Sequence, residues 1–431
     1  MIDSMKVLQL DKVRVSLDRE GARTYTKASY PIRYGKYAEI GYEGYVFQFN
    51  LNGEIKHIGS TGPDWPHPAE WLKRTIGNDW VYYSTGSYYT GTADLFGEFY
   101  MPCPAYPTNS LFKEAPFNRP GVAAAFEKLE KLISYCHKLA RQFPATEKNS
   151  EVHSFLRQVG RQSNRQLQQK ADRLHRILSG RITVLPPDCR HVDYDVMPVM
   201  LSQGCLYNCA FCQVKTGLDF GLRSRENIIA QLRGLKEFFG PDLANYNSIF
   251  WGQHDGLAAA PEDILFGAEK AYELLEIGQS SMRHPRMFLF GSADSFLEQD
   301  DLFFANLDRL PYYTYINLGL ESFDAETLEL LKKPVAADRM KQGFGRMLDI
   351  NRRYEHIEIT ANFLLGEELP GGHIQSLIDH LHNSLSRSIN KGCIYMSPLQ
   401  GSQDTRNILA QFRDIKQKSR METLLYLIQR L

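Results

Sequence analysis

Apolar and polar positions divide the chain into differently patterned parts. Up to about residue 120, short runs rich in aromatic residues alternate with turn residues, and YVFQFNLNGEIKHI places Asn52 and Gly53 between two such runs. An Asn-Gly pair in that place predicts a β-hairpin. In residues 121–140 and again from about 151 to 178, apolar residues recur at helical spacing, which predicts two helices.

After residue 180 the pattern changes to alternating strands and helices. Gly180 ends the second helix, and LPPDCRHVDYD has the composition of a linker. The predicted strands are 196–201, 248–251, 287–290, 313–320, 358–365 and 392–397, with helical patterns such as SRENIIAQLRGLKEFFG between them. Six β/α units predict an α/β fold with a parallel sheet, because parallel neighbours need crossover connections. The pattern leaves open whether that sheet is flat or curled.

These patterns predict three parts of the chain. We expect an α+β N-terminal region in residues 1–185, the β/α region in 186–400, and a C-terminal helix in 401–431, written QDTRNILAQFRDIKQKSRMETLLYLIQRL. Residues 77–107 are dense in Tyr, Trp and Gly, which supply large contact surfaces on a pliable backbone. We therefore expect the N-terminal region to cover a substrate pocket as a lid, although these aromatics would equally suit the core of a small domain.

Charge and hydropathy narrow the class of protein. The 431 residues include 50 basic and 50 acidic side chains with no long run of either sign, which argues against a nucleic-acid-binding protein. The first twenty residues have no apolar stretch of signal-peptide length, and no segment has the roughly 20 apolar residues of a membrane span. We expect a cytoplasmic protein. Its seven cysteines, three of them within eight positions, favour a metal site over a disulfide framework.

The three clustered cysteines follow directly after the first predicted β/α strand. LSQGCLYNCAFCQVKTG spaces Cys205, Cys209 and Cys212 as C-x3-C-x2-C. Ligands in α/β proteins bind at the carboxyl ends of strands. Three thiolates on one loop suit three irons of a [4Fe-4S] cluster and leave the fourth iron open. A structural zinc site or an electron-transfer cluster would need a fourth ligand, and the other four cysteines stand singly along the chain as Cys103, Cys136, Cys189 and Cys393.

CLYNCAFC resembles the signature of the radical S-adenosylmethionine (radical SAM) superfamily, C-x3-C-x-aromatic-C. The resemblance implies a partial (β/α)6 TIM-like barrel with the cluster at the carboxyl ends of its strands. It implies that the open iron chelates the amino and carboxylate groups of SAM, and that one electron from the cluster cleaves SAM to methionine and a 5′-deoxyadenosyl radical. Phe211, the aromatic residue before the third cysteine, would then lie near the adenine, a place compatible with simple packing.

Two later strand ends carry further candidates for contacts with SAM. In FWGQHDG, Gly252 matches the Gly-rich turn that usually meets the methionine amino group, whereas Gln253 and His254 depart from it. The polar set Gln253, His254 and Asp255 remains a candidate for that contact, with a structural hydrogen-bonded role as the alternative for His254. In FLFGSADSF, Ser292 and Asp294 stand at the strand end, where either is a candidate to hydrogen-bond cofactor or substrate, and we predict that Asp294 instead caps the helix that follows.

The fourth and fifth strands resemble one branch of the superfamily. LGLESFD is similar to the Gly-Leu-Glu-Ser-Phe segment of coproporphyrinogen oxidase and methylthiotransferase relatives, and this resemblance implies that Glu321 is the best polar candidate for a contact with SAM. The alternative for Glu321 is a structural ion pair. ITANFLLGEELPGG is similar to the next strand of that branch, with Asn362 facing inward and Gly366 allowing close approach of the backbone.

The sequence thus predicts a radical SAM enzyme that abstracts hydrogen from a small-molecule or lipid substrate. Flavodoxin or ferredoxin would supply the electron. The alternatives are radical SAM modification of an RNA base, against which the balanced charge argues, and a non-catalytic iron–sulfur or zinc scaffold. The substrate cannot be read from the sequence.

Overall fold

The computed structural model describes residues 6–25, 34–60, 80–85, 120–142, 145–146, 150–180, 182, 184–192, 195–207, 209–212, 217–383, 385, 391–399 and 404–430. Most of the predicted lid segment 77–107 lies outside them. The strands are β1 Val7–Leu10, β2 Val13–Glu20, β3 Lys36–Tyr42, β4 Tyr45–Phe49, β5 Ile55–Ser60, β6 Trp80–Thr85, β7 Met197–Met200, β8 Ser202–Gln203, β9 Gly221–Leu222, β10 Ser248–Gly252, β11 Arg286–Ser292, β12 Tyr313–Glu321, β13 Ile357–Leu365, β14 Cys393–Pro398 and β15 Glu422–Arg430.

The α-helices are α1 Pro120–Gln142, α2 Ser150–Val159, α3 Asn164–Leu178, α4 Arg225–Phe239, α5 Pro261–Leu274, α6 Ala293–Glu298, α7 Asp301–Asp308, α8 Ala325–Leu330, α9 Ala337–Arg353, α10 Gly372–Ile378 and α11 Thr405–Lys418. The predicted second helix is therefore two helices, α2 and α3. Within the described ranges, no helix is long and apolar enough to cross a membrane.

The first five strands form an antiparallel sheet in chain order. β4 and β5 are the predicted hairpin, and Gly53 in their turn has a φ of +73°, which glycine adopts without strain. One face of this sheet packs against α1 and α2 around a core that includes Phe47 and Leu132. The N-terminal region therefore has a hydrophobic core of its own.

The remaining eight long strands form one parallel sheet in the order β6-β15-β14-β13-β12-β11-β10-β7. Every residue of β7 and of β10 is buried, as expected for strands covered on both faces. Pro198 is tolerated because β7 is an edge strand with β10 as its neighbour. The six predicted strands all occur, each within two residues of its predicted bounds.

The strand order distinguishes a barrel from an open doubly wound sheet. From β7 through β10 to β15 the strands follow one another in chain order, so all crossovers advance in the same direction, whereas a doubly wound sheet reverses. The strands at the two ends of the sheet, β6 and β7, are not paired with each other in the described part of the chain. The predicted α/β partial barrel is confirmed.

The prediction of a helix to the C-terminus is wrong beyond α11. α11 ends at Lys418, and β15 then pairs in parallel with β14 on one side and with β6 on the other. Because β6 comes from residues 80–85, the parallel sheet extends across the predicted domain boundary at residue 185.

The predicted linker before β7 is a buried structural segment. Pro187–Val192 forms a 3₁₀-helix that contacts β6, β11 and β12, strands that are not all neighbours, so it lies across the inner face of the sheet. Asp188 is fully buried there and accepts hydrogen bonds from the hydroxyl groups of Thr360 and Tyr395, each at 2.7 Å. This segment therefore fills part of the barrel interior.

Candidate active site

The cysteine loop begins and ends at a short antiparallel ribbon formed by β8 and β9. Gly204 precedes the first cysteine with a φ of +67°, and a Cβ there would lie 2.4 Å from the carbonyl oxygen of Asp219. Only glycine fits this position without moving backbone. The tight crossing holds the two ends of the loop together after β7.

Two further contacts fasten the loop to the barrel. The backbone N–H of Ala210, between the second and third cysteines, donates a hydrogen bond to the carbonyl of Leu331 at 2.8 Å. The Tyr207 hydroxyl donates to Asp294 at 2.6 Å, and Asp294 also pairs with Arg339 at 3.0 Å. The turn after α8 and the helix α6 therefore both position the cysteine loop.

The three cysteines border one cavity of about 210 Å³ at the carboxyl ends of the barrel strands. Phe211, Ser292, Glu321 and Asn362 from the predicted set also border it. Gly252, Gln253 and Gly366 do not belong to the lining. His254 and Asp255 of the candidate polar set border the cavity, as does Lys333, which was not predicted.

Glu321 both faces the cavity and forms the ion pair that was its structural alternative. Nζ of Lys333 donates to Glu321 at 3.2 Å and to the carbonyl of Gly319 at 2.7 Å, and both charged side chains are nearly buried. Glu321 has a φ of +65° at an irregularity in the β12–β13 pairing. A Cβ on Gly319 would lie 2.8 Å from the Glu321 carboxylate, so the glycine leaves room for this pair.

Asp255 and His254 present buried polar atoms to the cavity. One carboxylate oxygen of Asp255 accepts from the Ser295 hydroxyl at 2.7 Å, but the other, like Nε2 of His254, has no hydrogen-bond partner in the described residues. Burial raises the pKa of the Asp255 carboxyl and lowers the pKa of His254 to about 4. Leaving a buried polar atom unsatisfied costs about 1–3 kcal/mol, so polar groups of a ligand would relieve that cost.

Ser292, not Asp294, caps α6. Its hydroxyl accepts from the N–H of Ser295, and the Ser295 hydroxyl accepts from the N–H of Ser292, which is a capping box. The predicted cap at Asp294 is wrong because that carboxylate binds Tyr207 and Arg339 instead.

Asn362 connects the cavity with the polar interior of the barrel. Its amide exchanges hydrogen bonds with Asn317, at 2.6 and 3.2 Å, and Asn317 donates to Thr360 at 2.8 Å. Thr360 in turn donates to Asp188 in the 3₁₀-helix. The orientation of Asn362 is therefore fixed by Asn317 on the neighbouring strand β12.

The donor set fits a cluster that takes one thiolate on each of three irons, because the three cysteines reach one cavity from one loop. No three of the described His, Cys, Asp and Glu side chains are grouped closely enough to hold a single metal ion together. Burial raises the pKa of the Cys209 thiol to about 11, so metal binding there must release a proton.

Comparisons with known proteins give no close relative. No family model and no curated protein matches this sequence. SuiB of Streptococcus suis overlaps with a TM-score of 0.33 at 13% identity, over 72% of this chain and 63% of its own. Methylornithine synthase (PylB) overlaps with a TM-score of 0.34 at 11% identity, over 67% of this chain and 78% of its own. Coproporphyrinogen III oxidase (HemN) of Escherichia coli is described as a radical SAM enzyme. It overlaps with a TM-score of 0.33 at 14% identity, over 52% of this chain and 47% of its own.

Overlaps this weak carry no assignment by themselves, and this chain spans less than two thirds of SuiB and about half of HemN. What the chain itself presents is a C-x3-C-x2-C loop at the carboxyl end of the first strand of a partial parallel barrel. In both respects it resembles the radical SAM enzymes.

Sequence reasoning missed several residues that build the site. Lys333 gave no signal, because its partners Glu321 and Gly319 lie on a strand that only the fold brings to it. Tyr207 stood inside the cysteine motif, but its partner Asp294 lies 87 residues away. Tyr426 borders the cavity from β15, the strand that was predicted to be helix.

Proposed function

We propose that this protein is a radical SAM enzyme that abstracts a hydrogen atom from a small-molecule or lipid substrate. The observation that carries the proposal is the convergence of Cys205, Cys209 and Cys212 on one cavity with Glu321 and Asn362. When bound there, a [4Fe-4S] cluster and SAM together would supply a 5′-deoxyadenosyl radical.

Different residues around the cavity would bind different parts of SAM. Phe211 offers a flat apolar surface for the adenine, and Glu321 and Asn362 offer fixed acceptors and donors for polar groups. Asp255, whose second carboxylate oxygen has no partner in the described chain, would accept from the ammonium or hydroxyl groups of the ligand.

The rest of the lining favours an apolar substrate. Val184, Leu185, Phe290, Leu399 and Tyr426 contribute apolar surface to the cavity. Such a surface excludes water and stray hydrogen donors from a radical. A cytoplasmic location and an electron donor such as flavodoxin or ferredoxin complete the proposal.

The lid function proposed for the N-terminal region stays a proposal. Within the described residues, contacts of the first sheet with the barrel region include hydrogen bonds from Asn52 to the carbonyl of Phe239 and from the N–H of Leu51 to Asp242. The described part of residues 6–60 does not border the cavity. Within residues 1–185, Val184 and Leu185 do border it.

Metal content tests the proposal directly. Protein purified without oxygen is expected to hold about four irons and four sulfides per chain. Cys205→Ala is expected to abolish assembly, whereas Cys393→Ala, which changes a buried cysteine on β14, is the matched control that retains the cluster. A chain that holds one zinc and no iron would end the proposal in favour of a structural metal site.

SAM binding separates a catalytic site from an iron–sulfur scaffold. Glu321→Ala is expected to weaken SAM binding at least tenfold while iron content is unchanged, because it removes a polar contact worth about 1.4 kcal/mol or more. Glu326→Ala, in the first turn of α8, is the control. Equal SAM affinity in both variants would assign Glu321 a structural role only.

A further inference from the structure

Lys333 is a buried cation whose position is fixed on several sides. Its side chain is 5% exposed, and its Nζ donates to the carbonyl of Gly319 and to Glu321. The same Nζ lies 5.9 Å from the centre of the Tyr207 ring. A lysine held in this way keeps its charge in one place, unlike a surface lysine on a flexible stem.

The turn that carries Lys333 is attached to the cysteine loop. Leu331 accepts a hydrogen bond from Ala210, which stands directly after Cys209, and the N–H of Lys333 is held by Leu328 at the end of α8. Lys333 borders the same cavity as the three cysteines. The cysteine loop and the turn that carries Lys333 are therefore held in a fixed position relative to each other.

Lys333 and the three cysteines border one cavity, and Glu321 borders it too. Charges in a buried site interact more strongly than charges in water and are screened less by salt. The positive charge of Lys333 therefore acts on the cysteine loop with little screening, and the negative charge of Glu321 acts in the opposite sense.

We propose that Lys333 raises the reduction potential of the cluster held by Cys205, Cys209 and Cys212. This inference rests on the proposed function. Reduction of a bound cluster by one electron would add one negative charge at the cysteine loop, and the fixed positive charge of Lys333 would stabilise that reduced form. Local charge, hydrogen bonding and burial are the means by which proteins set iron–sulfur potentials. Lys333 is thus a positioning residue that acts through the cluster's environment.

The test is a redox titration of the protein loaded with iron and sulfide, without SAM, followed by the electron paramagnetic resonance signal of the reduced cluster. Lys333→Met is expected to lower the equilibrium constant for reduction about tenfold, a shift of about 59 mV toward negative potentials. Lys333→Arg keeps the charge and is expected to stay close to the original protein. Because the pair is buried, the shift is expected to persist at high salt.

Two further variants make the outcome decisive. Lys332→Met removes the exposed neighbouring charge and is the matched control that leaves the potential unchanged. Glu321→Gln removes the opposing charge and is expected to shift the potential the other way; it decides the question if Lys333→Met fails to hold its cluster. Full iron content with an unshifted potential in Lys333→Met overturns the inference, as does an unshifted potential in Glu321→Gln. Absence of iron in the original protein would instead overturn the proposed function itself.

Discussion

Tyr207 and Asp294 share a 2.6 Å hydrogen bond that joins the cysteine loop to helix α6. Because Asp294 also pairs with Arg339 on α9, the tyrosine is tied to two helices of the barrel. The cluster loop is therefore held from outside the motif as well as by its own ribbon.

Tyr207→Phe is expected to loosen the loop without unfolding the barrel. A hydrogen bond to a carboxylate contributes about 1.5–3 kcal/mol, so release of iron to a chelator is expected to become about tenfold faster or more. Tyr312→Phe removes one hydrogen bond to the carbonyl of Ala268, far from the loop, and is the control. Equal rates of iron release in both variants would show that the Tyr207 contact does not hold the loop.

Gly204 and Gly217 provide a matched pair for testing the loop crossing. Their φ values are +67° and +68°, but a Cβ at Gly204 meets backbone atoms of Leu218 and Asp219, whereas at Gly217 it meets nothing within 4 Å. Gly217→Ala is expected to cost only the strain of the left-handed conformation, about 1 kcal/mol. Gly204→Ala adds a collision between backbone segments and is expected to abolish cluster assembly, measured as iron per chain. Similar iron content in the two variants contradicts this account of the loop.

His254 predicts a dependence of stability on pH. Burial lowers its pKa to about 4, whereas in the unfolded chain it stays near 6.5. Between pH 6.5 and 4 the unfolded state binds the extra proton, so this stabilisation is complete above pH 6.5 and is lost as pH falls toward 4. The slope is up to about 1.4 kcal/mol per pH unit.

Chemical denaturation of the original protein and of His254→Gln at several pH values isolates this effect, because other groups such as His373 titrate in both. The free energy of unfolding is expected to fall more steeply with decreasing pH in the original protein. Parallel pH profiles would mean that His254 is not held neutral by burial.

Asp188 anchors the 3₁₀-helix inside the barrel and predicts a large loss of stability. Asp188→Ala leaves the buried hydroxyl groups of Thr360 and Tyr395 without their acceptor. The expected loss is about 3 kcal/mol in the free energy of unfolding, whereas Asp338→Ala, at an exposed position on α9, is expected to change it by less than about 0.5 kcal/mol. A loss in Asp188→Ala no larger than in the control would mean that the segment does not depend on this carboxylate.

The barrel was readable from the sequence because its strands are short apolar runs bounded by turns, as in SIFWG of β10. β15 was missed because Leu424, Leu425, Leu427 and Ile428 continue a spacing that suits a helix as well as a strand. Only parallel pairing with β14 and β6 decides between the two. Non-local pairing of this kind leaves no local signal.

The site residues that were predicted from the sequence lie in local motifs, whereas those that were missed depend on contacts between residues distant in the chain. The cysteines and Glu321 were found because they lie in motifs, and Phe211 because it stands inside one. The partners of Asp188 lie 172 and 207 residues away, so a segment with the composition of a linker proved to be buried. At the second strand end the sequence offered Gln253, His254 and Asp255 together, and which of them border the cavity depends on backbone direction, which spacing alone does not determine.

The most direct measurement of the central claim is formation of 5′-deoxyadenosine from SAM by the reduced, iron-loaded protein. The account predicts 5′-deoxyadenosine and methionine in equal amounts with a strong reductant, and neither product from Cys209→Ala. A protein that holds four irons yet yields no 5′-deoxyadenosine under these conditions would contradict it.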